Sequence, residues 1–165
     1  VSRPVIAPSR GRVSAPRDPA LAVSIVKQAE AGVKFRRDGL TAFLTGFWAS
    51  TDERNFQIAA DATGQAVVLP VNRTYSAKGL EFEGEWRKGP FAIVVGATFT
   101  DAKIDKDQID PAFTGNTPRH IPDFAFFARP QVEFEKVTFG AVVNGTTESF
   151  AQDTNQLVQP GYVLV

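Results

Sequence analysis

Glu81, Glu83 and Glu85 alternate with apolar residues, and two carboxylates facing one another are the minimum equipment for acid–base cleavage of a glycosidic bond. Alternation along an amphipathic strand accounts for them without chemistry, because every second side chain points the same way. Asp101, Asp105, Asp107 and Asp110 offer oxygen ligands of the kind calcium takes. Their run has neither the glycine turn nor the closing glutamate of a calcium loop. His120 is the one histidine and there is no cysteine, so a Ser-His-Asp triad, a histidine cage, a thiolate zinc site and a cysteine nucleophile all lack parts. No G-x-S-x-G, H-E-x-x-H or Walker pattern occurs. The expectation is no catalytic residue, no metal ligand and no cofactor.

The residues are therefore read for the elements they build. A chain of 165 residues, 43% apolar, has material for one domain with a core. Lysine plus arginine and aspartate plus glutamate both total 18, so there is no basic excess to neutralise phosphates, and nucleic acid is not an expected partner. Methionine is absent, even at position 1, which reads as a piece of a longer protein. No run approaches the 18 or so apolar residues of a membrane-spanning helix, and the N-terminus lacks the charged-then-apolar order of a signal peptide. Membrane β-barrels remain open, since their strands need only about 9 to 11 residues of alternating polarity.

Residues 1–24 hold Pro4, Pro8, Pro16 and Pro19 with four arginines, fitting neither helix interior nor central strand. They read as an irregular Pro/Arg-rich loop ahead of a β region at 25–165. From Gln28 the pattern has period two, with Ala29, Ala31, Val33 and Phe35 opposite Glu30, Lys34 and Arg36, the mark of a strand. Asp38-Gly39 favours a two-residue hairpin turn into a second strand from Leu40 to about Phe56. Residues 57–73 read as a loop with at most a short hairpin inside, broken by Gly64 and Pro70. Strands follow at 75–86, 91–102, 123–135 and 137–145, and a seventh begins at Tyr162.

Tight turns near residues 38, 88 and 136 alternate with long connections at 57–74, 103–122 and 147–160. In an up-and-down meander this places all tight turns at one rim and all long loops at the other, the asymmetry of outer-membrane barrels. The strands also exceed the usual five or six residues of soluble sheets. A soluble sandwich would share the two-faced pattern, so both architectures stand on pattern alone. The fold class is all-β: an antiparallel up-and-down meander of about six to seven long amphipathic strands.

Several runs resemble the barrels of TonB-dependent outer-membrane receptors. Val26 to Lys34, Ala77 to Glu83 and Gly96 to Ala102 are similar to successive strands of that family. Gly115-Asn116-Thr117-Pro118-Arg119 and the Gln152-Asp153-Thr154-Asn155 to Tyr162 segment resemble two of its later motifs. The five matches fall in the family's order from residue 25 onward. The resemblance implies a late section of a transmembrane β-barrel wall, without the plug domain, the coupling box and the closing strands of the intact receptor. It implies a part in active uptake of a bulky nutrient of the siderophore-iron, cobalamin or oligosaccharide class at the bacterial outer membrane. Implied partners are outer-membrane lipid, a plug domain, the TonB energy-transducing complex and a small-molecule ligand.

On that reading Leu40, Leu44, Leu80, Phe82, Phe124, Phe126, Val132 and Phe134 face acyl chains. Trp48, Tyr75 and Trp86 stand at the membrane interfaces, where aromatic rings with a polar tip are favoured. Glu30, Lys34, Arg36, Glu81, Glu83, Glu85, Arg129 and Glu133 face the lumen. The long loops at 57–73 and 103–122 are expected on the extracellular rim as sites of first ligand contact. The competing reading is a secreted all-β carbohydrate-binding or adhesion module, in which the same three aromatic rings would be stacking platforms.

Overall fold

The computed structural model describes residues 24–165, so the arm expected over 1–24 lies, but for its last residue, outside the described part. Five long strands come first: β1 (Ile25–Arg37), β2 (Leu40–Ala60), β3 (Ala66–Lys88), β4 (Phe91–Asp107) and β5 (Phe124–Glu133). Five short ones follow: β6 (Thr138–Gly140), β7 (Val143–Thr146), β8 (Ser149–Phe150), β9 (Val158–Gln159) and β10 (Tyr162–Leu164). Each long strand pairs antiparallel with the next. Both β6 and β7 pair with the far edge of β5, and β10 pairs with β7. This is the expected all-β meander, with β6 and β7 as two halves of its sixth strand and β10 as its seventh.

Proline explains why the sixth strand is broken. The Pro130 carbonyl accepts from Ala141 N at 3.2 Å, so its ring nitrogen, which shares that side of the strand, faces the sixth strand with no proton to give. The ladder lapses between Gly140 and Val143 and resumes beyond it. At the first turn, Asp38 and Gly39 have φ of 47° and 80°, the positive values that a two-residue hairpin consistent with the strand twist requires.

Two expected loops are corrected: β4 runs on through Asp107, so the loop expected at 103–122 begins only at Gln108, and the other is almost wholly strand. Residues 57–73 are not a loop: β2 and β3 stay paired without a break from Leu40↔Trp86 out to Ala60↔Ala66. Val67, Val68 and Leu69 belong to that ladder. Pro70 is tolerated because β4 has ended by then and β3 is an edge strand on that side. The connection shrinks to residues 61–65, where Asp61 Oδ1 accepts from Thr63 N at 2.8 Å, Thr63 Oγ1 at 2.6 Å and Gln65 N at 2.9 Å. The Thr63 hydroxyl first, then these amides, hold the Asp61 carboxyl below the usual carboxylate range. β3, at 23 residues, runs about 75 Å at 3.3 Å per residue, well beyond the requirement of a hydrocarbon layer about 30 Å thick.

Register fixes the two faces. Across β1 to β5, one face carries the rows Ala31–Gly46–Leu80–Phe99–Phe124 and Val33–Leu44–Phe82–Ala97–Phe126. Arg37–Leu40–Trp86–Ile93–Pro130 forms the last row toward the tight turns that spans all five strands on that face, with Lys88–Phe91–Val132 beyond it on β3 to β5. The other face carries Glu30, Lys34 and Arg36 on β1, Glu81, Glu83 and Glu85 on β3, and Arg129 on β5. Burial is concentrated on this polar face at the loop end, where Ile104 is fully buried and Val71 and Ala102 nearly so.

Candidate functional site

Beyond Ile104 the β3–β4 register shifts by one residue. After the bulge Asp107 stands beside Arg73 on the polar face, with its side chain inaccessible to solvent. Its Oδ1 accepts from Ile109 N at 2.8 Å and Asp110 N at 3.0 Å, its Oδ2 from Arg73 Nε at 2.7 Å, and Arg73 Nη2 closes the fork. Burial works against ionisation of Asp107, but the Asp110 amide, the Arg73 guanidinium and the Ile109 amide outweigh it and hold the carboxyl below the usual range. Arg73 Nη1 reaches the other way, donating to Asp153 Oδ2 at 2.9 Å and to the Tyr75 hydroxyl at 3.1 Å. Burial in turn pushes the Tyr75 phenol up.

Asp153 joins two loops. Its Oδ1 accepts from Arg119 N at 3.0 Å and its carbonyl from Asn116 Nδ2 at 2.8 Å. Asn155 adds a two-way amide pair, accepting from Thr117 N at 2.9 Å and donating to Thr117 O at 2.7 Å. Gly115 N and Asn116 O bond the backbone of Ile104 at 2.8 and 2.9 Å. The Gly115-Asn116-Thr117-Pro118-Arg119 and Gln152-Asp153-Thr154-Asn155 motifs are thus two halves of one clamp that lays both loops on the polar face.

Beneath the clamp lies a cleft of about 380 Å³. Its floor is the cross-strand row Ala49–Ala77–Ala102, whose small side chains leave the space open. Tyr75, Arg119 and Ile121 line its walls. A cation and a phenol over an apolar floor suit recognition of a small molecule; nothing there activates a nucleophile.

Toward the tight turns the polar face mixes charge with aromatic rings. Lys34 Nζ lies 4.5 Å from the centre of the Phe43 ring, and the Arg129 guanidinium 5.3 Å from that of Phe127, the geometry of cation–π attraction. Arg87 Nη1 meets Glu133 Oε2 at 3.1 Å. Phe47 lies over Gly79 and Phe127 over Gly96: a Cβ on either glycine would stand under 3 Å from the ring carbons. Pattern reading missed Phe43, Phe47 and Phe127 on this face. The usable signal is a phenylalanine directly across from a glycine, Phe47↔Gly79 and Gly96↔Phe127.

The expected positions fall as follows. Leu40, Leu44, Leu80, Phe82, Phe124, Phe126 and Val132 share the apolar face. Phe134 sits just past β5 with its ring edge-on to Phe139, centroids 6.3 Å apart. Glu30, Lys34, Arg36, Glu81, Glu83, Glu85 and Arg129 lie together on the other face. Trp48 and Trp86 stand at opposite ends of the apolar band, Trp48 beside Lys78 and Trp86 beside Leu40. Tyr75 departs from expectation: an odd number of residues from Trp86, it lies on the polar face inside the clamp. The calcium idea also fails at Asp107, whose oxygens are taken by Arg73 and two amides.

A family model described as "TonB dependent receptor-like, beta-barrel" matches residues 3–165. No curated protein matches the chain. Among solved structures, the crystal structure of BauA, the ferric preacinetobactin receptor from Acinetobacter baumannii, superposes with a TM-score of 0.69 at 16% identity, covering 84% of this chain and 21% of that one. That likeness is one of fold, and the chain spans about a fifth of that receptor's length.

Proposed function

Because the chain belongs to the TonB-dependent receptor β-barrel family, we propose that it forms an arc of the wall of an outer-membrane receptor for active uptake of a bulky nutrient. Residues 25–165 are the wall section. The observation that carries this reading is the two-faced sheet, apolar on one side, as from Phe91 to Phe99 of β4, and carrying the charges of β1, β3 and β5 on the other. That stretch of β4 meets the 9 to 11 residues or so of a tilted membrane strand. A closed wall also supplies the backbone pairing that hydrocarbon demands, and the neighbours of β1 and β10 complete it.

The mixed charges and lumen-side phenylalanines are the surface against which a plug domain rests and from which the TonB complex draws it. Pairs such as Arg87–Glu133 are half exposed or more, so exchanging them for plug contacts costs little. The cleft under the clamp is where an incoming ligand first meets the wall, with siderophore-iron, cobalamin and oligosaccharide as the candidate classes. The receptor transports rather than catalyses.

The test is charge placed on each face of the intact receptor. Phe82→Arg and Phe126→Arg should each cost roughly 2 to 4 kcal/mol of folding in vesicles, as arginine does near the bilayer midplane. Thr98→Arg, on the opposite face, should fold as wild type does. A Phe82→Arg protein that is folded and soluble without detergent would overturn the wall and favour a secreted binding module.

A further inference from the structure

The apolar face is not smooth. A groove of about 660 Å³ runs across β1 to β4. Ala29, Ala31 and Gly46 form its floor, and Trp48, Leu80 and Phe99 its walls. Its floor is open without structural need. A Cβ built on Gly46 would meet Leu80 Cδ2 at 3.7 Å and Ala31 O at 3.9 Å, ordinary contacts, and Gly46 is not among the positive-φ residues. Contrast Gly79, where a Cβ would lie 2.0 Å from the Phe99 carbonyl oxygen.

The groove ends where charge begins. The row Ala29–Trp48–Lys78–Asp101 bounds it, and the next row outward is Lys27–Ser50–Ser76–Lys103. Asp101 lies 3.4 Å from Lys78 and 3.8 Å from Lys103, so these two rows carry three ammonium groups against one carboxylate. Asp123 lines the groove's β5 side. Asp105 reaches the second row, where its carboxylate accepts from the Ser76 hydroxyl at 2.8 Å, so the three ammonium groups still outnumber the carboxylates of Asp101 and Asp105. At about 4.8 Å between strands, Lys27 and Lys103 stand roughly 14 Å apart with Lys78 between them, a width that suits a lipid headgroup better than a single small ion.

We infer that this groove is a binding site for a phosphorylated acyl lipid of the outer leaflet, one acyl chain lying along Gly46 and the phosphate held by Lys78 with Lys27 and Lys103. The inference rests on the membrane-wall reading. An apolar trough opening at the level of the lysines is matched to a ligand with a chain below and negative charge above, which neither a neutral lipid nor a polar protein segment offers.

The experiment uses the intact receptor in phosphatidylcholine vesicles doped with phosphatidic acid, with bromine on the chains of one lipid or the other. Quenching of Trp48 is read as the difference between wild type and Trp48→Phe. Brominated phosphatidic acid should be enriched at Trp48 roughly fivefold over brominated phosphatidylcholine, the size of one lysine–anionic lipid contact. Lys78→Gln should bring the ratio toward one, and Gly46→Phe should abolish the preference by filling the floor. Equal quenching by both lipids in wild type, or a preference unchanged in either variant, overturns the site while leaving the wall intact. Absence of quenching by either lipid would instead remove the wall itself.

Discussion

Arg73, Asp107 and Asp153 carry the most consequential contacts, and they are separated along the chain by 34 and 80 residues. Breaking a buried ion pair from one side leaves the other charge stranded. Arg73→Ala should therefore cost roughly 3 to 5 kcal/mol, and Asp153→Ala less, since its carboxylate is more exposed than that of Asp107. Hydrogen exchange over 108–123 and 147–160 measures both losses. Acid should act on the same clamp. The Asp107 carboxyl titrates below its ordinary 3.8, so its contribution is complete above that pH and is lost as the pH falls through the lower, folded value. Exchange protection in the two loops should hold from neutrality down to pH 3.8 and then decline, a decline absent from Asp107→Asn. Both loop motifs were visible in the sequence, but their partnership was not, because no local pattern encodes a pairing across so many residues. Tyr75 differs for a simpler reason: its aromatic type suggests an interfacial ring, while its odd spacing from Trp86 already places it on the other face.

At the scale of elements, glycines separate packing from pairing. Gly79→Ala places a methyl group against the Phe99 carbonyl and the Phe47 ring and should disrupt the β3–β4 ladder, costing about 1 to 3 kcal/mol as overpacking does. Gly46→Ala meets only ordinary contacts and should leave the midpoint of urea unfolding in vesicles unchanged. Strand existence was legible from period-two alternation, and so were the turn at Asp38-Gly39 and the order of the meander. Boundaries were less so. Gly64 and Pro70 look like breakers in residues 57–73, yet the hairpin continues, because a proline on an edge strand forfeits no ladder bond. The converse holds at Pro130, which lies inside a clean alternating run and still splits the sixth strand, since its missing N–H faces that partner.

For the whole molecule, the deciding property is which medium meets which face of the sheet. Many large apolar side chains are exposed, among them Val33, Leu44, Leu80, Phe82 and Phe99, a surface a soluble domain would have to cover. The chain contains no cysteine, so in the intact receptor a single spin-labelled cysteine can be walked along β3 without background from this wall. Collision with dissolved oxygen, which concentrates in lipid, should be high at positions 80, 82 and 86 and low at 81, 83 and 85, whether the latter meet water or a plug. Oxygen access with that period of two and that phase is the result the account predicts; uniform access along β3, or the opposite phase, would contradict it.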